Sequence, residues 1–421
     1  MSKRKDLLDA INHRQPEKVP IDLGSSSVTG IHVLCLERLR EYCGLEKRPI
    51  IVIDAYEMLG LVEDDIKEAL GIGVSAVRPP ISRYGFPNLE PYKTYKTLWG
   101  QEVLVPEKFN TVRGKDGAEY IFPCGDTTVA PCARMVRGSF FFDALNRQPC
   151  LDENRLDYHD NLEEFGPISQ DSLNHIHEET TRLIKRDTGV LYGLSGTSLG
   201  NISQVPGLSL KNPRGIRDIS EWYISTLIRQ DYIHEVFAAQ TEIAVKNLKR
   251  IWETAGSAID VVTVCGTDFG TQNSQFCSPG TFEELYMPYF KKINGWIHDN
   301  TTWKTFKHSC GAIVPLLPLI IEAGFDIINP VQCSASGMDP LFLKKAYGKQ
   351  LVFWGGGVNT QQTLPFGTPD EVAEEVLHRC EIFSKDGGYV FNAIHHIQAD
   401  TPVENVAAMF KAVREFNGGV Y

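Results

Sequence analysis

The sequence predicts an α/β protein built as a single (β/α)8 barrel, and three observations carry that prediction. From about Gly189 onward, short β-rich runs alternate with amphipathic helical stretches, the pattern of βα units that build a parallel sheet. With two earlier runs the strand candidates number eight, the count of a closed barrel. None is followed by a G-x-G-x-x-G fingerprint, which removes the main support for a doubly wound open sheet.

In chain order, the first strands are expected at residues 19–23 and 74–78. Between residues 92 and 143 the alternation breaks. Trp99-Gly100, Lys115-Asp116-Gly117 and Pro123-Cys124-Gly125 punctuate alternating residues there, predicting an antiparallel hairpin insertion that either covers one end of the barrel or is plain scaffold. The remaining strands are expected at 190–196, 258–265, 303–310, 325–332, 351–356 and 389–394. Ser278-Pro279 starts a helix over 281–300, and Thr368-Pro369-Asp370 starts one over 371–384. Pro402-Val403-Glu404-Asn405 opens the last helix. No repeat, low-complexity tract or linker divides the chain, so residues 1–421 read as one domain carrying the 92–143 insertion.

Composition narrows the partners. A chain of 421 residues, 42% hydrophobic and 23% charged, can bury a large core. Its net charge of −11, with no Lys/Arg cluster beyond Lys3 to Lys5, argues against a nucleic-acid surface. Small molecules and proteins are the expected partners. The start, Met1-Ser2-Lys3-Arg4-Lys5-Asp6, leads into a charged amphipathic segment, and no apolar run reaches membrane-spanning length, so a cytoplasmic location is expected. Ten cysteines spread without paired short spacings argue against a disulfide framework.

In such a barrel the strand C-termini form the active mouth. Polar groups collect there: Asp22 and Ser25, then Thr267 and Asp268, His308 and Cys310, Gln332 and Cys333, Asn359 after the Gly355 to Gly357 triplet, and finally His395, His396 and Gln398. His308 and Cys310 stand two residues apart and share one strand face. Catalytic zinc typically takes three protein ligands from His, Cys or carboxylates and keeps one position open. His308, Cys310 and His395 fit that count, since the mouth ends of non-adjacent strands face a common axis. His396 competes with His395, because adjacent strand residues point opposite ways. Asp268 reads as a fourth ligand, a general acid/base or a helix cap, and Asp22 as a mouth residue or a turn residue bonded to its own backbone.

The runs His308-Ser309-Cys310-Gly311, Phe353-Trp354-Gly355-Gly356-Gly357, Gly367-Thr368-Pro369, Gly387-Gly388-Tyr389-Val390-Phe391 and Pro402-Val403-Glu404-Asn405 resemble the uroporphyrinogen decarboxylase superfamily. So does the opening Arg14-Gln15-Pro16-Glu17-Lys18-Val19-Pro20. The resemblance spans nearly the whole chain and is strongest after Cys265. True decarboxylases carry an arginine-rich MRQAGRY segment that holds the tetrapyrrole carboxylates. This chain reads Ile21-Asp22-Leu23-Gly24-Ser25-Ser26-Ser27-Val28-Thr29 instead, and lacks those bidentate partners.

The resemblance therefore points to the other branch, zinc-dependent methyltransferases that exchange methyl groups with a corrinoid protein. It implies Zn2+ as cofactor, a corrinoid-binding protein as partner, and His308 and Cys310 as the family's His-x-Cys ligands. In the coenzyme M enzymes of that branch the third ligand is a second Cys, and counting back from Pro402 that position falls on His395. Imidazole in place of thiolate leaves a more Lewis-acidic zinc, suited to polarising an ether oxygen while cobalt(I) takes the methyl group. Demethylation of a methoxylated, aromatic compound is the expected reaction. Asp268 or His396 is expected to supply the proton, and Asp22, Gln332, Trp354 and Asn359 to bind substrate, with Phe140, Phe141, Phe142 and Trp354 as candidate aryl-pocket residues. The alternatives are methyl transfer from methyl-corrinoid to a thiol or folate, uroporphyrinogen decarboxylation, and a noncatalytic corrinoid-protein partner. A homodimer is the candidate assembly.

Overall fold

Strands buried on both faces need continuous apolar runs, and the runs of this chain become one curled parallel sheet in a computed structural model that describes residues 2–419. The strands in chain order are β1 (Ile50–Asp54), β2 (Leu59–Gly60), β3 (Val74–Ala76), β4 (Tyr92–Lys96), β5 (Glu102–Pro106), β6 (Thr111–Arg113), β7 (Glu119–Ile121), β8 (Ala133–Met135), β9 (Asp143–Ala144), β10 (Gly189–Gly193), β11 (Val261–Cys265), β12 (Lys304–His308), β13 (Ile327–Asn329), β14 (Val352–Trp354) and β15 (Tyr389–Val390). Seven of them form the parallel sheet, ordered β15-β14-β13-β12-β11-β10-β3. This is a TIM-barrel-like α/β architecture.

Ile21 lies between the two edges of that sheet. The Asp22 N–H donates to Phe391 O, the Phe391 N–H to Pro20 O, and the Gly73 N–H to Ile21 O. The strand expected over 19–23 is thus reduced to a bridge at Ile21. Pro20 has no N–H to give a ladder, and Gly24 turns the chain away at φ +81°. Except for β11, which ends at Cys265 as expected, the later strands are also shorter than expected at their C-terminal ends, because the residues beyond them leave the ladder to form the mouth loops.

Side chains inside the sheet's curl make a core of their own: Val74, Leu191, Val261, Phe306, Ile327, Val352, Trp354 and Val390. Leu7 and Ile11 of the helix Lys3–Ile11 join it, and Leu7 fills the space a Cβ would need at Gly189, the first residue of β10. Amphipathic helices cover the outside. Gln230–Ala255 precedes β11, Met287–Asn300 precedes β12, Pro369–Phe383 precedes β15, and Val403–Phe416 follows it. The last two begin where the sequence placed them, the former with Thr368 and Glu371 in a capping box.

Between β3 and β10 the chain makes antiparallel pairs. β4 pairs β5 across Trp99-Gly100, β5 also lies parallel to β1, and β6 to β9 form a separate four-stranded sheet. The order β2-β1-β5-β4 places the end of β1 beside the barrel mouth, where Asp54, Tyr56 and Glu57 line the main cavity. Among the described residues no helix is long and apolar enough to cross a membrane.

Candidate metal centre

Side chains alternate along β12. Phe306 and His308 face the inside, whereas Lys307 faces the helices, with its ammonium 4.9 Å from the Phe269 ring centre. The chain leaves the ladder after His308, and Gly311 turns at φ +88°. A Cβ there would collide with the backbone of Gly270 and Thr271, because the loops after β11 and β12 pack main chain to main chain. Their contact is tied by the Ala312 N–H to Thr271 O and the Phe269 N–H to Ser309 Oγ.

This packing brings His308, Cys310 and His395 together, with one ligand atom from each lying within 4.8 Å of the others. Cys310 Sγ is 3.5 Å from His308 Nε2. Zinc–nitrogen and zinc–sulfur bonds of about 2.0–2.3 Å at tetrahedral angles imply ligand separations of about 3.3–3.8 Å, so the donor set fits a zinc ion with modest adjustment. His308 Nδ1 lies 2.7 Å from Oδ1 of Asn329, the last residue of β13. An amide oxygen only accepts, so this bond puts the proton on Nδ1 and leaves Nε2 free for a metal. His395 comes from the loop after β15, held by the Ile394 N–H to Val358 O and the Ile397 N–H to Gly30 O.

Burial lowers the pKa of His308, with nearby Asp268 opposing the shift. Burial also holds His395 well below the usual histidine range, and His396 and His308 add to the effect. The Cys310 thiol is pushed well above its ordinary value by burial and then by Asp268. Two neutral imidazoles and a protonated thiol describe the metal-free site, so a divalent cation would bind with release of the thiol proton. Asp268 Oδ1 accepts the Cys310 N–H at 2.7 Å and stands 3.5 Å from His308 Nε2.

The centre opens on a cavity of about 1130 Å³, which His308, His395 and Asp268 share with Tyr192 and Asn201. Asp54, Tyr56, Glu57 and Arg83 line the same space. Burial, and then the charge of Asp54, push Glu57 up to about 7, against the pull of Arg83. His396 lies behind, with Nδ1 3.9 Å from Glu57 Oε2, and burial takes its pKa down to about 4.

The profile of the uroporphyrinogen decarboxylase (URO-D) family matches residues 153–416, which include all three clustered side chains. The chain belongs to that family. Curated relatives are distant. It is 28% identical over 147 residues to the uroporphyrinogen decarboxylase of Pseudoalteromonas translucida, covering 33% of this chain and 38% of that protein. It is 21% identical over 292 residues to uroporphyrinogen decarboxylase 2, chloroplastic, of Oryza sativa, covering 66% and 64%. The matches thus span less than two thirds of those relatives. A methyltransferase from Methanosarcina mazei shares the fold over 99% of both chains, with a TM-score of 0.54 and 15% identity.

Several residues expected at the mouth of this URO-D family member are placed elsewhere. Asp22 is fully buried, accepting from Ser25 Oγ and Trp354 Nε1, and it is not part of the cavity wall. Trp354 packs inside the barrel, 5.4 Å from the Phe306 ring. Gln332 spends its Oε1 on the Gly311 N–H, and Asn359 accepts the Gln361 N–H; neither lines the cavity. Phe142 is buried among Tyr84 and Phe109, Phe140 packs on His32 and Trp99, and Phe141 is exposed. Lying near a strand end fixes a residue's height in the barrel but not the direction of its side chain. Asp54, Glu57 and Arg83 went unnoticed, although the apolar run Ile50-Ile51-Val52-Ile53 closing on Asp54 is a strand signal.

Proposed function

We propose that this protein is a zinc-dependent methyltransferase that moves a methyl group from a methoxylated, aromatic compound to the cobalt(I) of a corrinoid protein docked over the barrel mouth. The observation that carries the reading is one thiol and two imidazoles, His308, Cys310 and His395, gathered together, with both imidazoles lining a cavity roomy enough for a substituted aromatic ring. Held by one thiolate and two neutral imidazoles, zinc keeps one positive charge and supplies Lewis acidity toward an ether oxygen. The chain's own residues set the geometry. Asn329 fixes the ring and tautomer of His308, Asp268 holds the Cys310 backbone, and Tyr56 and Tyr192 give the cavity aromatic wall. The URO-D family membership and a full-length structural counterpart described as a methyltransferase are in keeping with this assignment.

The curated relatives favour a second reading, decarboxylation of uroporphyrinogen. That substrate needs cations for its carboxylates. The segment from Ile21 to Thr29 offers none, and the four cavity arginines are all engaged, Arg83 with Asp54, Arg78 with Tyr92 and Glu179, Arg48 with Glu63 and Asp65, and Arg182 with Glu179. Assays of the separate half-reactions distinguish ether demethylation from methylation of a thiol or folate by methyl-corrinoid, and turnover of uroporphyrinogen without metal would favour the decarboxylase. His395→Ala is expected to lower bound zinc below one equivalent per chain by elemental analysis. Full zinc content in that variant removes His395 from the centre and, with it, the reason for preferring ether cleavage.

A further inference from the structure

Two carboxylates stand side by side in the cavity, in opposite surroundings. Asp54 Oδ1 accepts the N–H groups of Tyr56 and Glu57 at 2.8 and 3.2 Å, and its Oδ2 is 3.3 Å from Arg83 Nη2. The Arg83 guanidinium in turn lies 5.4 Å from the Tyr56 ring centre. Glu57 has no such support. Among the described residues its carboxyl receives no hydrogen bond, and the imidazole facing it, with His396 Nδ1 3.9 Å away, is itself buried without a partner at that atom. With 26% of its side chain exposed, Glu57 reaches the space that His308 and His395 also line.

A carboxyl group kept protonated by its environment marks an acid in many active sites. The groups facing Glu57 are Asp54 and Tyr56 on its own segment, Arg83 from the loop after β3, and His396 from the loop after β15, with Cys310 within electrostatic reach. Asp54 repels a second negative charge, Arg83 is already shared with Asp54, and burial removes water. All three leave Glu57 as a carboxylic acid near neutral pH.

We infer that Glu57 is the proton donor of this site, protonating the ether oxygen as its bond to the methyl carbon breaks. The inference rests on the demethylase reading above. In the balanced step the carbon–oxygen pair stays on oxygen, and the electron pair of the partner's cobalt(I) forms the new bond to carbon. The Glu57 O–H proton passes to that oxygen, giving a neutral phenol. Glu57 is left as a carboxylate and regains a proton from water entering the cavity. The two donors the sequence suggested are otherwise occupied. Asp268 is tied to the Cys310 N–H, and the His396 ring is placed between the Gln398 side chain and Glu57 itself.

The test is a leaving-group series on the zinc-loaded protein with its corrinoid partner, comparing 4-nitroanisole with electron-rich anisoles in wild type, Glu57→Gln and Glu57→Asp. A proton donor matters most where the phenolate leaves poorly. Glu57→Gln should lose about 10²–10⁴-fold on the electron-rich ethers and stay near wild type on 4-nitroanisole, with partial recovery in Glu57→Asp. The fall in rate above about pH 7 should vanish in Glu57→Gln. Independently of activity, a protonated carboxyl band in the infrared spectrum of the wild-type protein at pH 6 should be missing from Glu57→Gln. Equal loss on all ethers, no loss on any, or an unchanged carboxyl band overturns the donor role while leaving demethylation standing. A wild-type protein inert toward every ether sinks the demethylase reading itself, and the donor role with it.

Discussion

Replacing Asn329 tests the centre without touching a ligand. Asn329 is fully buried at the end of β13, where Oδ1 meets His308 Nδ1 at 2.7 Å and Nδ2 donates to Trp354 O at 2.9 Å. In Asn329→Ala the imidazole N–H and a backbone carbonyl both lose their partners in a dry interior. Each buried group left unpaired costs about 1–3 kcal/mol, so the metal-free variant should unfold about 2–5 kcal/mol more easily in urea. Losing the bond that orients a ligating histidine typically weakens metal binding about 10–100-fold, or about 1.4–2.7 kcal/mol. Competition between protein and a chromogenic chelator measures that term. Asn329→Asp supplies the control, since a carboxylate accepts the same N–H and makes the imidazole more basic while abandoning Trp354 O. Its zinc affinity should exceed that of Asn329→Ala. Zinc affinities within twofold for wild type and Asn329→Ala would refute the claim that Nε2 of a fixed tautomer faces the metal.

Two further outcomes are expected. Burial and the charge of Asp54 raise the Glu57 carboxyl from its ordinary 4.5 to about 7 in the fold, so the fold retains a proton that the unfolded chain releases first. The stabilisation from this group is complete below pH 4.5 and is lost as pH rises through 7. Allowing for its partial exposure, that amounts to about 1–3 kcal/mol. Glu57→Gln should therefore gain about that much over wild type in urea denaturation at pH 8 relative to pH 5, and an equal offset at both pH values would contradict it. Gly311→Ala forces a Cβ into the Gly270–Thr271 backbone at a positive φ, and should cost at least about 2 kcal/mol and lower zinc occupancy. Wild-type stability in that variant would show that the two loops are not packed as described.

The parts of the fold that were legible in the sequence are those in which one residue pattern has one physical outcome. After Gly189 the buried parallel strands other than β12 are runs of mostly apolar residues, and helices carry punctuation such as Thr368-Pro369 or Pro402. The N-terminal half offers no such redundancy. Its first strand is a single bridge at Ile21, and β1 pairs with the excursion at β5 instead of entering the barrel, so its apolar run escaped the tally of eight. The site divides the same way. His308 and Cys310 are two residues apart, and strand alternation predicts their shared face, although β12 ends at His308 and loop packing brings Cys310 alongside. His395 was reached by counting back from Pro402 along a family pattern. Glu57 belongs to a turn between two short strands, where no periodicity says which way a side chain points, and its chemistry exists only through Asp54, Arg83 and burial.

The preference for ether cleavage depends on the charge around the three donors, and Asp268 and Lys307 bear on it with opposite signs. Asp268, 3.5 Å from His308 Nε2, would make the metal less electrophilic. Lys307 sits on the other side of the strand, fully buried, with Nζ donating to Thr267 O and His308 O and lying over the Phe269 ring. Burial lowers its pKa, but two carbonyl acceptors and an aromatic face are surroundings that favour an ammonium. Lys307 also binds the loop carrying Asp268 to the strand carrying His308, so the two opposing charges are fixed at the same strand end. At His308 and Cys310 their fields oppose one another, with Asp268 the larger contributor, so Lys307 moderates the loss of Lewis acidity that Asp268 would cause. On this argument Lys307→Met exposes the donors to Asp268 alone. It should slow electron-rich ethers more than 4-nitroanisole at full zinc loading, and a uniform loss across the series would assign Lys307 a purely structural role.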